Sequence, residues 1–100
     1  MPNIYGTCDK FGENYVVSVN ITTYGKGMKD VRCKLASKGG ASSDKEEENI
    51  PMISPNSNEF CEFVLKGDLL APIRVRVVYF LKTWRGYKEY STLIDSYCPH

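Results

Sequence analysis

Four cysteines in a chain of one hundred residues constrain the fold more than any other feature. Cys8 lies near the start and Cys98 two residues from the end, so a Cys8–Cys98 bond would tie the termini together and leave Cys33 and Cys61 as a second pair. An even number of cysteines in a short chain points to disulfides and an oxidising compartment. Four cysteines allow three connectivities, and their positions alone do not choose among them. No CxxC occurs and the only histidine is His100, so no zinc site is expected, nor any other metal or cofactor.

A chain of this length makes a single domain, residues 1–100. Its core is small, and each long loop closed by a disulfide adds roughly 3–5 kcal/mol of stability. No apolar run approaches the roughly 20 residues of a membrane span, so no membrane association is expected. Met1-Pro2 is not followed by a secretion leader and reads as a start set on a mature chain. The net charge of +1 hides an asymmetry. Residues 41–62 carry six acids and one base, whereas residues 63–91 carry six bases and two acids. That pattern is weak for a nucleic-acid binder, which usually has a strongly basic face.

Asn3-Ile4-Tyr5 reads as a short strand and Asp9 to Asn14 as a turn. Tyr15 to Met28 fits two periods. Val17, Ile21, Tyr24 and Met28 form a helical stripe, while Val17, Val19 and Ile21 alternate as in a strand, which their β-branching favours. Val31 to Leu35 alternates and reads as a strand. Lys38 to Asn58 contains Gly39-Gly40, an acidic run at Glu46, Glu47 and Glu48, and two prolines, and reads as a long solvated loop. Phe60 to Lys66 is a strand. Pro72 to Lys82 is the strongest strand, and it turns through Trp84-Arg85-Gly86 into a returning strand, Tyr87 to Leu93.

Period-two logic assigns strand faces. Ile73, Val75, Val77 and Tyr79 share the core face, with Arg74, Arg76, Val78 and Phe80 opposite. Cys61, Phe63 and Leu65 point inward, and Phe60, Glu62 and Val64 outward. Val31, Cys33 and Leu35 point inward, and Arg32 and Lys34 outward. Cys33 and Cys61 thus share inward parity on strands that could be neighbours. A cross-strand Cys33–Cys61 bond follows, with Cys8–Cys98 as the other.

The order of these fragments resembles the secreted fungal guanyl-specific ribonucleases, and more closely the non-catalytic ribonuclease-like effectors of powdery mildews. Tyr5-Gly-Thr-Cys8 resembles the family's aromatic-x-cysteine opening, with one extra residue. Val17 to Gly25 resembles the helix that follows it. Glu62-Phe63-Val64-Leu65 resembles the strand of the catalytic glutamate, and Arg76-Val77-Val78-Tyr79 the strand of the catalytic arginine. The resemblance implies an α+β fold, one helix packed on a curved antiparallel sheet. It resolves Tyr15–Met28 in favour of that helix.

Ribonucleolysis by 2′-hydroxyl attack needs a base, an acid and a stabiliser of phosphorane charge. By the resemblance Glu62 is the vestigial base and Arg76 the vestigial stabiliser. The acid's position falls near Tyr90, and a phenol with a pKa near 10 is a poor acid beside an imidazole. No strand carries a histidine, and His100 reads as a tail. The bland alternative for Glu62 and Arg76 is an exposed cross-strand ion pair.

The implied role is a secreted fungal virulence effector with a catalytically inactive fold. It would be a monomer acting in the host cytoplasm or nucleus. Its partners would be host plant proteins, an intracellular immune receptor that recognises it as an avirulence factor, and RNA as a weaker ligand. The alternatives are an active ribonuclease and a cystine-stapled secreted toxin or inhibitor. Arg74, Arg76, Arg85, Lys88 and Tyr90 mark a basic, aromatic surface, with Tyr79, Phe80, Lys82, Trp84 and Tyr87 lying among them and about half of these aromatics expected in the core or in cross-strand pairs; Glu46, Glu47 and Glu48 mark an acidic one. Asn20-Ile21-Thr22 is a glycosylation acceptor pattern, although Asn20 abuts the apolar stripe.

Overall fold

A computed structural model describes residues 1–99, and all its regular structure is β. The strands are β1 (Asn3–Phe11), β2 (Asn14–Thr22), β3 (Met28–Ser37), β4 (Ser42–Ser43), β5 (Glu47–Ile53), β6 (Asn58–Lys66), β7 (Ile73–Thr83) and β8 (Gly86–Ser96). They form two antiparallel four-stranded sheets, ordered β1-β2-β6-β4 and β5-β3-β7-β8. The expected α+β architecture with one packed helix is therefore wrong, and no helix occurs among the described residues.

The correction turns on β2. Tyr15, Val17, Val19 and Ile21 are all buried, and the residues between them face outward. A strand paired on both sides buries alternate side chains, and three of these four are β-branched, the shape that suits a pleated surface. The helical stripe required Tyr24 to be buried, yet it lies beyond the strand and is 52% exposed. The acidic segment is a second correction. Lys38 to Asn58 is not one long loop, since it holds β4 and the seven-residue β5. Five charged or proline positions in or beside β5 hid its pattern, and they suit an edge strand: Pro51 removes a ladder donor and charge deters pairing with another chain.

Both sheets turn alternate residues inward, and the two inner faces make one core. Val17, Val19, Ile21, Phe63 and Leu65 come from one sheet, and Val31, Ile73, Val75 and Val77 from the other. Every strand-face parity assigned to β3, β6 and β7 is found. So are both disulfides, Cys8–Cys98 and Cys33–Cys61, with Cα separations of 4.8 and 6.5 Å. The Cys33–Cys61 bond differs from expectation in kind, because β3 and β6 lie in different sheets. It crosses the core and ties sheet to sheet.

With the two-residue β4 beside β6 set apart, lettering β1, β2, β3, β5, β6, β7 and β8 as A, B, C, C′, E, F and G gives sheets A-B-E and C′-C-F-G. That is the strand order of immunoglobulin-like sandwiches. Here the cystine joins C to E rather than B to F, and the single tryptophan lies in a turn instead of the core. The likeness is architectural and assigns no function.

Gly6 marks where β1 crosses β8. A Cβ at Gly6 would lie 2.2 Å from Ser96 Oγ and 3.0 Å from Ile94 Cγ2. Ser96 is fully buried, and its Oγ has no hydrogen-bond partner among the described residues. Gly6→Ala is expected to cost about 1–3 kcal/mol, the usual range for overpacking. Ser96→Gly in the same chain should recover most of the loss. Urea unfolding of the two single variants and the double variant measures the coupling, and simple additivity would show that the contact is not the cause.

A candidate binding surface at one end of the sandwich

The β2–β3 loop, the β5–β6 turn and the β7–β8 hairpin meet at one end of the sandwich. Thr23 locks two of them together. Its buried hydroxyl donates to the Ser54 carbonyl (2.5 Å) and accepts from the Ser57 amide (3.0 Å). The Thr23 amide donates to the Ser57 carbonyl (2.8 Å), and the Asn56 amide to the Tyr24 carbonyl (2.7 Å). Tyr24 is thereby presented on a fixed loop. Beside it, Met1, Pro2, Lys26, Leu81, Lys82, Thr83 and Tyr90 line an open cleft of about 330 Å³.

The hairpin tip is Trp84-Arg85, closed by Thr83 and Gly86. Gly86 has φ near +111°, which only glycine adopts without strain. The Thr83 hydroxyl donates to the Gly86 carbonyl (2.8 Å) and accepts from the Arg85 amide (3.2 Å), which stiffens the turn. Trp84 is 87% exposed, and the Arg85 guanidinium lies over its ring at 4.4 Å. Tyr87 follows, with the Lys29 ammonium 4.9 Å from its ring. From there a basic face continues down the outside of the second sheet. It carries Lys29, Arg32 and Lys34 of β3 with Arg74, Arg76 and Lys82 of β7.

The named basic residues separate into three groups. Arg74 and Arg76 share the outer sheet face, but Arg74 pairs with Asp95 (3.0 Å) and Arg76 donates to Ser91 Oγ (3.1 Å). Arg85 sits at the tip. Lys88 has inward parity on β8, with its ammonium 5.4 Å from the Tyr90 ring. Tyr90 is a half-buried cross-strand partner, stacked on Tyr79 with ring centroids 5.6 Å apart.

The acidic trio does not act as a unit. Glu46 pairs with Lys38, whose ammonium holds its carboxyl below the usual carboxylate range. Glu47 lies across from Lys34. Glu48 reaches between the sheets, accepting from Lys45 Nζ (2.5 Å) and the Glu62 amide (3.3 Å).

Glu62 and Arg76 do not come together. Glu62 is on the outer face of β6 in the first sheet and Arg76 on the outer face of β7 in the second, with the core between them. They form neither a cross-strand ion pair nor a base and phosphorane stabiliser on one substrate. His100 lies outside the described residues. Tyr24, Lys26 and Lys29 escaped the sequence reading, because the first two looked like the end of a helix and Lys29 precedes the strand core that could be recognised.

Burial, and secondarily Tyr90, raises the Tyr79 hydroxyl above its ordinary pKa. The folded state thus keeps Tyr79 neutral where the unfolded chain ionises. Its contribution to stability is complete below about pH 10, the ordinary tyrosine value, and falls as pH rises beyond that. Unfolding midpoints measured between pH 9 and 11 should drop more steeply for the wild type than for Tyr79→Phe. Parallel curves would remove Tyr79 from the account.

No family model matches the chain, and no curated protein matches it.

Proposed function

We propose that this is a secreted, disulfide-stapled β-sandwich that works by binding, and that it engages an acidic protein surface through the Trp84-Arg85 end. The observation that carries this reading is the tip itself, a rigid turn holding an indole 87% in solvent with a guanidinium on its face. A large aromatic so exposed has no role in the core. Trp, Tyr and Arg are the side chains that dominate binding energy when a partner covers them. Lys82 and Tyr87 flank the tip, Lys29 lies over the Tyr87 ring, and Tyr24 lines the adjoining cleft with Lys82 and Thr83, so a partner should offer carboxylates around an apolar centre.

Two buried or half-buried cystines support residence in an oxidising compartment. A pathogen effector that binds host plant proteins, the role implied by the ribonuclease-like resemblance, is one setting for such a domain. Its support no longer includes a ribonuclease-type fold. The separation of Glu62 from Arg76 also favours binding over ribonucleolysis.

Panning a displayed random-peptide library against the oxidised protein tests the reading. Enriched peptides should be acidic with at least one apolar residue, and should fail to bind Trp84→Ala. Enrichment of basic or uncharged peptides, or equal binding to the variant, would overturn it. RNA remains a competing ligand class on the outer basic face, and it would show as binding lost steeply with salt but insensitive to Trp84→Ala.

A further inference from the structure

Asn20-Ile21-Thr22 is the only Asn-x-Ser/Thr triplet in the chain with a non-proline centre. It lies on β2, and the full burial of Val19 and Ile21 fixes Asn20 on the outer face of the first sheet. The objection that Asn20 abuts an apolar helical stripe disappears with the helix. Its direct cross-strand partners are Tyr5 on β1 and Phe60 on β6. Both rings share its face and are 45% and 53% exposed. Direct partners stand about 4.5–5.5 Å apart at Cβ, so the asparagine is flanked closely on both sides. Val64, 43% exposed, lies further along the same face beyond Glu62, so Tyr5 and Phe60 are the apolar strip at Asn20 itself.

We propose that Asn20 is an N-glycosylation site and that Tyr5 and Phe60 seat the first N-acetylglucosamine. The transfer forms a bond from Asn20 Nδ2 to the anomeric carbon of the sugar. It breaks that carbon's bond to the diphosphate of a lipid-linked oligosaccharide donor, and one amide proton is released. The donor meets the chain during translocation, before β2 is paired, so the central position of the strand does not block it. In the folded protein the linked pyranose presents a face of axial C–H groups, which packs on aromatic rings. A bulky, solubilising group on this strip removes exposed apolar surface. It also stands on the sheet opposite the basic face, and leaves the Trp84 end free. The inference needs only entry into a secretory route and is independent of the binding surface.

Cell-free translation with endoplasmic-reticulum microsomes, behind a standard secretion signal, tests the acceptor. A mobility shift reversed by peptide-N-glycosidase F is expected for wild type and Thr22→Ser, and none for Asn20→Gln. A translocated but unshifted wild type would overturn the site. Protein secreted from a eukaryotic host, then trimmed by endoglycosidase H to a single N-acetylglucosamine, tests the seat. Its melting midpoint should exceed that of Asn20→Gln by about 3–6 °C, given roughly 4–8 °C per kcal/mol for a domain this size. That gap should vanish when both proteins also carry Tyr5→Ala and Phe60→Ala. A gap that persists, or that never existed, would overturn the aromatic seat.

Discussion

Replacing Cys33 and Cys61 together by alanine is expected to lower unfolding free energy by about 3.5 kcal/mol or more. The bond spans 28 residues of sequence, and the chain-entropy relation gives about that value for such a loop. Both cysteines are fully buried, and the variant also removes the covalent tie between the two sheets. By the same relation Cys8→Ala with Cys98→Ala, across 90 residues, loses about 4.5 kcal/mol. A 100-residue domain has only about 5–15 kcal/mol in all, so either pair removes a large share. Urea unfolding of oxidised wild type and both variants measures this, and a loss below about 1 kcal/mol for each pair would contradict it. The two variants should also differ in kind. Without Cys8–Cys98, β1 and the C-terminal segment should exchange amide protons first, whereas without Cys33–Cys61 protection should fall in both sheets together.

The second large effect concerns binding. Trp84→Ala is expected to weaken an acidic peptide ligand by about 30-fold or more, equivalent to about 2 kcal/mol, the threshold for a dominant interface residue. The indole is almost entirely solvent-exposed in the free protein, so its removal should leave stability within about 0.5 kcal/mol of wild type. Binding and folding therefore separate cleanly in this variant. Arg85→Ala should cost less, because it loses a charge and a stacked guanidinium but leaves the indole in place. Arg74→Ala should cost least, since Arg74 is already paired with Asp95 away from the tip. That order, Trp84 above Arg85 above Arg74, distinguishes an anchored interface from general attraction to a basic face, which would treat the two arginines alike. It is read by titration calorimetry at two salt concentrations.

Much of this fold was legible in the sequence, and the failures have physical causes. Alternation in Val31–Leu35, Phe60–Lys66 and Pro72–Lys82 correctly identified strands and faces, because each strand buries one side only. The inward parity of Cys33 and Cys61 led to the right pair by a mistaken route. Two inward cysteines can face each other across a core as well as along a sheet, and parity does not distinguish these cases. Tyr15–Met28 was ambiguous because Val17 and Ile21 satisfy both periods; Val19, buried between them, decides for the strand. β5 was invisible because an edge strand rich in Glu, Asn and Pro lacks the apolar alternation of a central one. The surface suffered most. Glu62 and Arg76 were correctly placed outward, yet outward has two opposite directions in a sandwich. Trp84 and Arg85 were visible as a turn, but Lys29 reaches them through the β3–β7 register and Tyr24 is held by the loop hydrogen bonds of Thr23, neither of which a local pattern encodes.

The most direct measurement is an amide chemical-shift titration of the isotope-labelled, oxidised protein with an acidic peptide taken from the display selection. The account predicts shifts confined to residues 23–29 and 81–90, with the Trp84 indole N–H among the largest, and their loss in Trp84→Ala at the same peptide concentration. Shifts centred on Tyr5, Asn20 and Phe60, or on residues 42–48, with the Trp84 indole unmoved, would contradict it.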